Sequence, residues 1–151
     1  MKVLIILGSK SDIDSVKGCG ELLDKFEIQY KQEVSSAHRQ ADKTRQLVTD
    51  AEKNGAEVII AAAGMAAHLP GVVASLTTLP VIGIPLPGSA LSGVDSLYSI
   101  VQMPAGIPVA CMAIGSHGAK NAAILAAEIL ALKDDSLKDK LKAYRKELAA
   151  G

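Results

Sequence analysis

The sequence predicts a doubly wound α/β sandwich, in which helices cover both faces of a parallel sheet of five strands. Short runs rich in β-branched residues alternate along the chain with longer patterns of helical period, as five successive βα units require. Right-handed crossovers then fix the hand of the sandwich. The predicted strands are Val3–Leu7, Ile28–Val34, Val58–Ala62, Val81–Ile84 and Val109–Ala113.

The length and composition of the chain fit one domain. Of its 151 residues, 49% are hydrophobic and 21% charged, which excludes intrinsic disorder. Sixteen basic residues balance sixteen acidic ones, so the class of nucleic-acid-binding proteins is disfavoured. The longest apolar run is about half a membrane span, and the apolar stretch near the start is too short for a signal peptide. We therefore expect a soluble, cytoplasmic protein that binds neither nucleic acid nor membrane.

The strand segments differ in their apolar pattern. Four of the five are continuous apolar runs, which are typical of parallel strands buried on both faces of a sheet. The second segment instead alternates the apolar residues Ile28, Tyr30 and Val34 with polar ones. This alternation indicates an edge strand.

Four helical patterns separate the strands. The first begins with Ser11 and Asp14, which resemble a capping box, and the second ends before Gly55, a predicted C-cap. The patterns lie over Asp12–Phe26, over Asp42–Asn54, after Pro70 and over Asp95–Met103.

Two further helices follow the last strand. Gly118–Leu132 carries Ala, Ile and Leu around nearly its whole circumference, and such a helix must be covered on nearly all sides. We therefore expect a subunit interface there. The final segment has a single apolar stripe opposite a charged face, which is typical of a helix with one solvated side. The stripe consists of Leu137, Leu141, Tyr144 and Leu148.

Side chains able to carry chemistry collect in the loops after the strands, where open parallel sheets bind ligands. All three histidines, His38, His68 and His117, lie in these loops. In the first loop, free backbone N–H groups at a helix start favour an anion such as phosphate. Ser9 and Asp12 could add contacts to phosphate and to sugar hydroxyls. The same residue types also form plain helix caps, and this loop alone favours the plain cap.

The loop after the second strand strengthens the case for a site. Arg39 supplies a planar fork of donors suited to phosphate. Histidine is the side-chain type best suited to proton transfer near neutral pH, and His38 stands beside Arg39. We predict that His38 is a general acid and base.

The loop after the third strand is almost free of polar side chains apart from His68. Its Gly and Ala residues could form a small dry pocket for a gas molecule or a planar ring. Tight packing of helix on strand, with His68 as a hydrogen-bonded core residue, explains the pattern equally well. His117 has less support and is expected to be a surface loop residue.

The sequence lacks the motifs of several common enzyme classes. The chain contains no Gly-x-Ser-x-Gly elbow, no phosphate-binding loop ending in Gly-Lys-Ser/Thr, no Gly-x-Gly-x-x-Gly, and no zinc-type His or Cys pairs. Cys19 and Cys111 are isolated among apolar neighbours, and we expect both to be small buried hydrophobes. The remaining prediction is a phosphorylated small metabolite handled by an imidazole, without a metal or another cofactor.

Four segments together resemble the bacterial-type N5-carboxyaminoimidazole ribonucleotide mutase family of de novo purine biosynthesis. They read GSKSD at 8–12, SAHR at 36–39, AAHLPG at 66–71 and DSLYSIVQMP at 95–104. The match spans nearly the whole chain, so we expect residues 1–151 to be a single catalytic domain including a C-terminal helix. The resemblance implies a flavodoxin-like three-layer fold and a homo-octamer whose active sites are shared between neighbouring subunits.

The resemblance also implies a reaction and roles for residues. The carboxylate on N5 would move to C4 of the aminoimidazole ring by decarboxylation and recarboxylation, without ATP, metal or biotin. His38 would shuttle the proton, while the phosphate, the ribose and a pocket wall would be contacted by other residues. The substrate-binding set comprises Ser9, Ser11, Asp12, Ser36, Arg39, Gly64, Ala66, His68 and Leu69.

The sequence departs from the family pattern at a few positions. Gln40 and Ala41 stand where Thr-Pro is usual, and the loss of the proline loosens the start of the following helix. Ala62 and Met65 stand where glycine is usual, and Met65 adds bulk beside the expected gas pocket.

Two other functions compete with the mutase. Animal-type relatives carboxylate the aminoimidazole directly from carbon dioxide and carry Arg-Ser-Asn-like residues in the third loop, whereas AAHLP at 66–70 favours the mutase. A non-catalytic flavodoxin-like binding or signalling module would carry acidic residues directly after the first strand. Here Asp12 and Asp14 are already inside the predicted helix.

Overall fold

A computed structural model of the chain describes residues 1–151 and contains one sheet of five parallel strands. They are β1 (Val3–Leu7), β2 (Tyr30–Val34), β3 (Val58–Gly64), β4 (Val81–Leu86) and β5 (Ala110–Cys111). The strands pair in the order β2-β1-β3-β4-β5. The helices are α1 (Ile13–Lys25), α2 (Ala41–Lys53), α3 (Leu69–Ala74), α4 (Val94–Val101), α5 (Ser116–Leu130) and α6 (Asp135–Ala150).

The helices form a layer on each face of the sheet, so the predicted three-layer α/β sandwich is confirmed. Side chains of α1, α5 and α6 share one core cluster with one face of the sheet. Side chains of α2, α3 and α4 share a second cluster with the other face. Strand β1 contributes to both clusters in alternation: Val3, Ile5 and Leu7 face the first, and Leu4 and Ile6 the second.

The two edge strands of the sheet are β2 and β5, and the sequence predicted only the first of them as an edge strand. Strand β2 is an edge strand, as its alternating pattern predicts. The prediction that Val109–Ala113 is buried on both faces is wrong. Strand β5 has two residues and pairs with β4 alone, so Ala110 is exposed and Cys111 is half-buried. Cys19, in contrast, is fully buried, and burial raises the pKa of its thiol to about 12.

The capping box before α1 lies two residues earlier than predicted. Ser9 caps a short 3-10 turn over Lys10–Asp12. The Ser9 backbone N–H donates to Asp12 Oδ2 at 2.9 Å, and the Ser11 N–H donates to Ser9 Oγ at 3.4 Å. Asp14 takes no part, so the predicted pairing of Ser11 with Asp14 is wrong.

Helix α5 is covered mainly by its own chain. The sheet, α1 and α6 bury five of its alanines completely, which are Ala119, Ala122, Ala123, Ala126 and Ala127. At Gly118 the backbone of Ala113 comes so close that an added Cβ would lie 1.7 Å from the Ala113 carbonyl oxygen. The apolar circumference is thus explained within one chain and does not by itself require a subunit interface.

Helix α6 packs through the predicted stripe. Leu137 is buried, Leu141 and Tyr144 are partly buried, and Tyr144 meets Phe26 edge to face with ring centroids 5.5 Å apart. Leu148, at the far end, is exposed. None of the six helices combines the length and the apolar character that crossing a bilayer requires.

Candidate active site

A cleft of about 550 Å³ opens at the carboxyl edge of the sheet, between the loops that follow β1, β2, β3 and β4. The structure brings all ten predicted site residues into the wall of this cleft. They are Ser9, Ser11, Asp12, Ser36, His38, Arg39, Gly64, Ala66, His68 and Leu69. Parallel strands that end at one edge therefore gather residues as far apart in sequence as Ser9 and Leu69.

The first loop presents two hydroxyls and one carboxylate. Ser9 Oγ and Ser11 Oγ lie 3.0 Å apart, and Ser11 Oγ lies 3.4 Å from Asp12 Oδ1. Burial raises the pKa of the half-buried Asp12 carboxyl, and hydrogen bonds from the Ser9 backbone and the Ser11 side chain lower it by less. The loop therefore combines donors for an anion with an acceptor for hydroxyl groups.

The two histidines of the cleft contact each other. His38 Nε2 and His68 Nδ1 are 2.6 Å apart, and the rings meet edge to face with centroids separated by 4.8 Å. At this distance one ring nitrogen donates a hydrogen bond and the other accepts it. His68 is exposed, so its alternative reading as a core residue is wrong.

His38 and Arg39 lie on a closed turn of five residues. The Gln40 N–H donates to the Ser36 carbonyl at 2.8 Å, and the Ser36 N–H donates to Gln40 Oε1 at 3.3 Å. Ser36 Oγ accepts from the Arg39 N–H at 3.3 Å. The exposed Arg39 guanidinium has no carboxylate partner, and its Nε donates to Ser36 Oγ at 3.5 Å, which leaves its two terminal NH2 groups for an anion.

The third loop packs tightly against the body of the protein on one side and is open to solvent on the other. Ala67 and Leu69 are buried, and an added Cβ at Gly64 would lie 3.2 Å from the Leu86 carbonyl oxygen. Met65 is 63% exposed and has a φ of 54°, in the left-handed region that glycine adopts without strain. Met65 therefore projects from the cleft wall at a position where the backbone itself favours glycine.

Some residues at the cleft were not predicted as site residues. Pro87 and Gly88 extend its wall from the loop after β4. A groove of about 440 Å³ shares Ser9 and Arg39 with the cleft and adds Lys10, a second cation near the serines. All three residues, Pro87, Gly88 and Lys10, lie in loops that directly follow a strand, and this position in the sequence was the signal that could have identified them. His117 is exposed and does not line the cleft, as expected.

The fold and the cleft define the class of doubly wound α/β proteins that bind ligands at the carboxyl edge of a parallel sheet. No group of three or more His, Cys, Asp or Glu side chains that could hold a metal ion occurs in the structure. The family model described as AIR carboxylase matches residues 2–150. The chain belongs to this family.

Individual relatives agree with this assignment. The N5-carboxyaminoimidazole ribonucleotide mutase of Pyrococcus abyssi is 54% identical over 147 residues, which cover 97% of this chain and 83% of the relative. The protein of the same name from Escherichia coli K12 is 52% identical, covering 96% of this chain and 86% of the relative. A crystal structure of Treponema denticola PurE superposes with a TM-score of 0.89 at 32% identity, covering 98% of this chain and 91% of that one.

Proposed function

We propose that this protein is an N5-carboxyaminoimidazole ribonucleotide mutase, which forms 4-carboxy-5-aminoimidazole ribonucleotide in de novo purine biosynthesis. The observation that carries the proposal is the contact of His38 with His68 at 2.6 Å, beside a loop rich in anion donors. The high identity to mutases over nearly the whole chain supports the same activity.

The polar end of the cleft fits the ribonucleotide moiety. Ser9, Ser11 and Arg39 would hold the phosphate, because two hydroxyls and an unpaired guanidinium offer it several donors. Asp12 would accept hydrogen bonds from the ribose hydroxyls. Ser36 shapes this end by bonding to the Arg39 backbone.

The reaction needs one group that gives and then takes a proton. The carbamate C–N bond breaks, its electron pair returns to N5, and His38 donates a proton to N5. The freed carbon dioxide is attacked by C4, a nucleophilic enamine carbon, and the new C–C bond forms. His38 then removes the C4 proton, so the cycle consumes no proton.

Two features of the cleft support this course. His68 restrains the orientation of the His38 ring through the contact of His38 Nε2 with His68 Nδ1 at 2.6 Å. The wall of Gly64, Ala66 and Leu69 is apolar and suits a retained gas molecule. We expect no metal or other cofactor, because an enamine carbon attacks free carbon dioxide without electrophilic assistance.

We further infer that the protein works as a homo-octamer in the cytoplasm. The octamer rests on the family resemblance, and the exposed apolar residues Val94, Tyr98 and Val101 on one side of α4 offer a surface that a second copy could cover. Both cysteines are free, which suits a reducing compartment. Sedimentation velocity tests the assembly, and cell fractionation tests the location.

Two substrates offered separately test the function. The protein should convert N5-carboxyaminoimidazole ribonucleotide without added bicarbonate. It should convert aminoimidazole ribonucleotide with bicarbonate far less efficiently at equal enzyme concentration. Efficient turnover of the second pair alone would identify a direct carboxylase, and turnover of neither would leave a non-catalytic nucleotide-binding module.

A further inference from the structure

We propose that a buried pair of hydroxyls, Ser35 and Thr44, is a positioning device for the turn that carries His38 and Arg39. The kinetic part of this inference rests on the proposed function, and the structural part does not. Neither residue lines the cleft. Both act through the turn over residues 36–40, which we call the His38 turn.

The pair is unusual within this chain. Only three polar residues are fully buried, namely Ser35, Thr44 and Ser96, and the first two contact each other. Ser35 Oγ and Thr44 Oγ1 are 2.8 Å apart, with both side chains completely excluded from solvent. Burying hydroxyls has a cost in free energy that only good hydrogen bonds offset, so their partners define what the pair holds in place.

Those partners are at the end of the His38 turn. The Gln40 carbonyl accepts from Thr44 Oγ1 at 3.2 Å, and Ser35 Oγ lies 3.4 Å from the same oxygen. Two hydroxyls have two protons. The shortest arrangement has Ser35 donating to Thr44 and Thr44 donating to Gln40. Both protons are then used, and they add to the backbone bond from the Thr44 N–H, at 3.0 Å from the same carbonyl, in fixing the end of the turn to the first turn of α2.

The other end of the turn is fixed to the sheet. The Ser35 N–H donates to the Leu7 carbonyl at 2.9 Å, which continues the pairing of β2 with β1. Ser35 therefore joins the sheet to α2 through its backbone and its hydroxyl together. His38 lies midway between Ser36 and Gln40, which are themselves joined by backbone hydrogen bonding.

The device stands where a local restraint is missing. Ala41 occupies the first position of α2, where a proline would preset the backbone dihedral. The N-cap residue, Gln40, makes no side-chain capping bond to the helix. The buried hydroxyls supply a restraint from beneath the turn, which gives these two polar groups a role within a largely apolar layer.

A matched pair of variants tests the inference. Thr44→Val keeps the shape of the side chain and the backbone bond from the Thr44 N–H to the Gln40 carbonyl at 3.0 Å, but it leaves Ser35 Oγ only the 3.4 Å contact with that carbonyl. We therefore expect the turn to loosen. Because misplacing a catalytic group by about 1 Å can cost 10²-fold, we expect kcat to fall by about tenfold. Thr49→Val removes the same kind of bond, from Thr49 Oγ1 to the Arg45 carbonyl at 3.0 Å, one turn further along α2. It should leave kcat within about twofold, because this bond is exposed and does not touch the His38 turn.

Two more variants separate positioning from stability. Thr44→Ser restores the hydroxyl and should recover most of kcat. The double variant Ser35→Ala, Thr44→Val removes both buried partners, so its stability should return close to that of the wild type. Its kcat should remain low, because the turn is still unrestrained. A kcat that recovers together with stability, or no rescue by Thr44→Ser, would overturn the proposal.

A measurement without substrate keeps the inference independent of the reaction. Imidazole ¹H–¹⁵N correlation spectra of the wild type should show the hydrogen bond between His38 Nε2 and His68 Nδ1. Thr44→Val should change these resonances and Thr49→Val should not. If neither of the substrates is converted, the proposed function fails while this comparison still decides on positioning; unchanged imidazole resonances in Thr44→Val reject it.

Discussion

Two clefts of nearly equal size lie at opposite edges of the sheet, about 550 Å³ at the carboxyl edge and about 530 Å³ at the amino edge. At the amino edge the charges satisfy one another. Lys2 and Lys133 both pair with Glu57, and Lys140 pairs with Glu27 at 2.7 Å. At the carboxyl edge, Arg39 and the histidines have no carboxylate partner.

The two clefts differ in their charges and not in their volume: basic groups without a carboxylate partner occur at the carboxyl edge only. The pKa values of carboxyl groups also shift in opposite directions in the two clefts. A hydrogen bond from Lys2 is the main cause that lowers the pKa of Glu57, whereas burial raises the pKa of Asp12. A ligand can supply the charged partner that the polar groups of the carboxyl-edge cleft lack. The lysines of the amino-edge cleft already have carboxylate partners.

The largest effect at the carboxyl-edge cleft is expected for His38→Asn. Since a positioned general acid and base contributes about 10²–10⁴-fold, turnover should fall by that factor while the ribonucleotide still binds. Turnover and calorimetric binding measure the two effects. His117→Asn, which changes an exposed histidine outside the cleft, is the control and should leave both unchanged. Full activity of His38→Asn would remove this residue from the mechanism.

The next largest effect is expected for Arg39→Lys. Lysine keeps the charge but loses the planar fork, and a hydrogen bond to a charged group contributes about 1.5–3 kcal/mol. We therefore expect KM for the ribonucleotide to rise about tenfold or more, with a smaller change in kcat. Arg45→Lys, on an exposed part of α2, should behave as the wild type. Equal KM values for the two variants would contradict phosphate binding by Arg39.

At the amino edge, Glu57→Gln should affect stability slightly and activity not at all. Exposed ion pairs contribute about 0–1 kcal/mol, so the loss in the free energy of unfolding at pH 7 should be of that size. The lowered pKa of Glu57 means that its contribution is present above the unfolded value of 4.5 and is lost as the pH falls through the folded value. Urea unfolding at several pH values measures this. An activity loss would show that this cleft is functional.

Asp12→Asn should give the opposite pH dependence and the smallest effect on stability. Because burial raises the folded pKa of Asp12 above 3.8, the folded state holds this proton more tightly than the unfolded chain. The stability of the wild type relative to the variant should therefore increase as the pH falls through the folded pKa. The same urea series, at constant protein concentration, compares the two carboxyl groups. A trend of the same sign as for Glu57 would remove the contrast.

The sequence predicted the layers and the location of the cleft because both follow from periodicity and from strand direction. It could not predict the register of the capping box, since serine occurs at both Ser9 and Ser11 and either could cap. The length and the burial of β5 were overestimated, because an apolar run does not reveal whether a strand has a neighbour on its second side. Contacts between side chains were also beyond reach: the bond from His38 to His68 depends on the paths of two loops.

The alternation of β1 between two cores limits how this protein can change. Each residue of that strand is packed in one core or the other, so inserting a single amino acid would turn every later side chain of the strand toward the wrong layer. It would also push the start of the serine loop outward by about 3.3 Å, one strand step. The length of β1 therefore sets where the serine loop begins relative to the sheet.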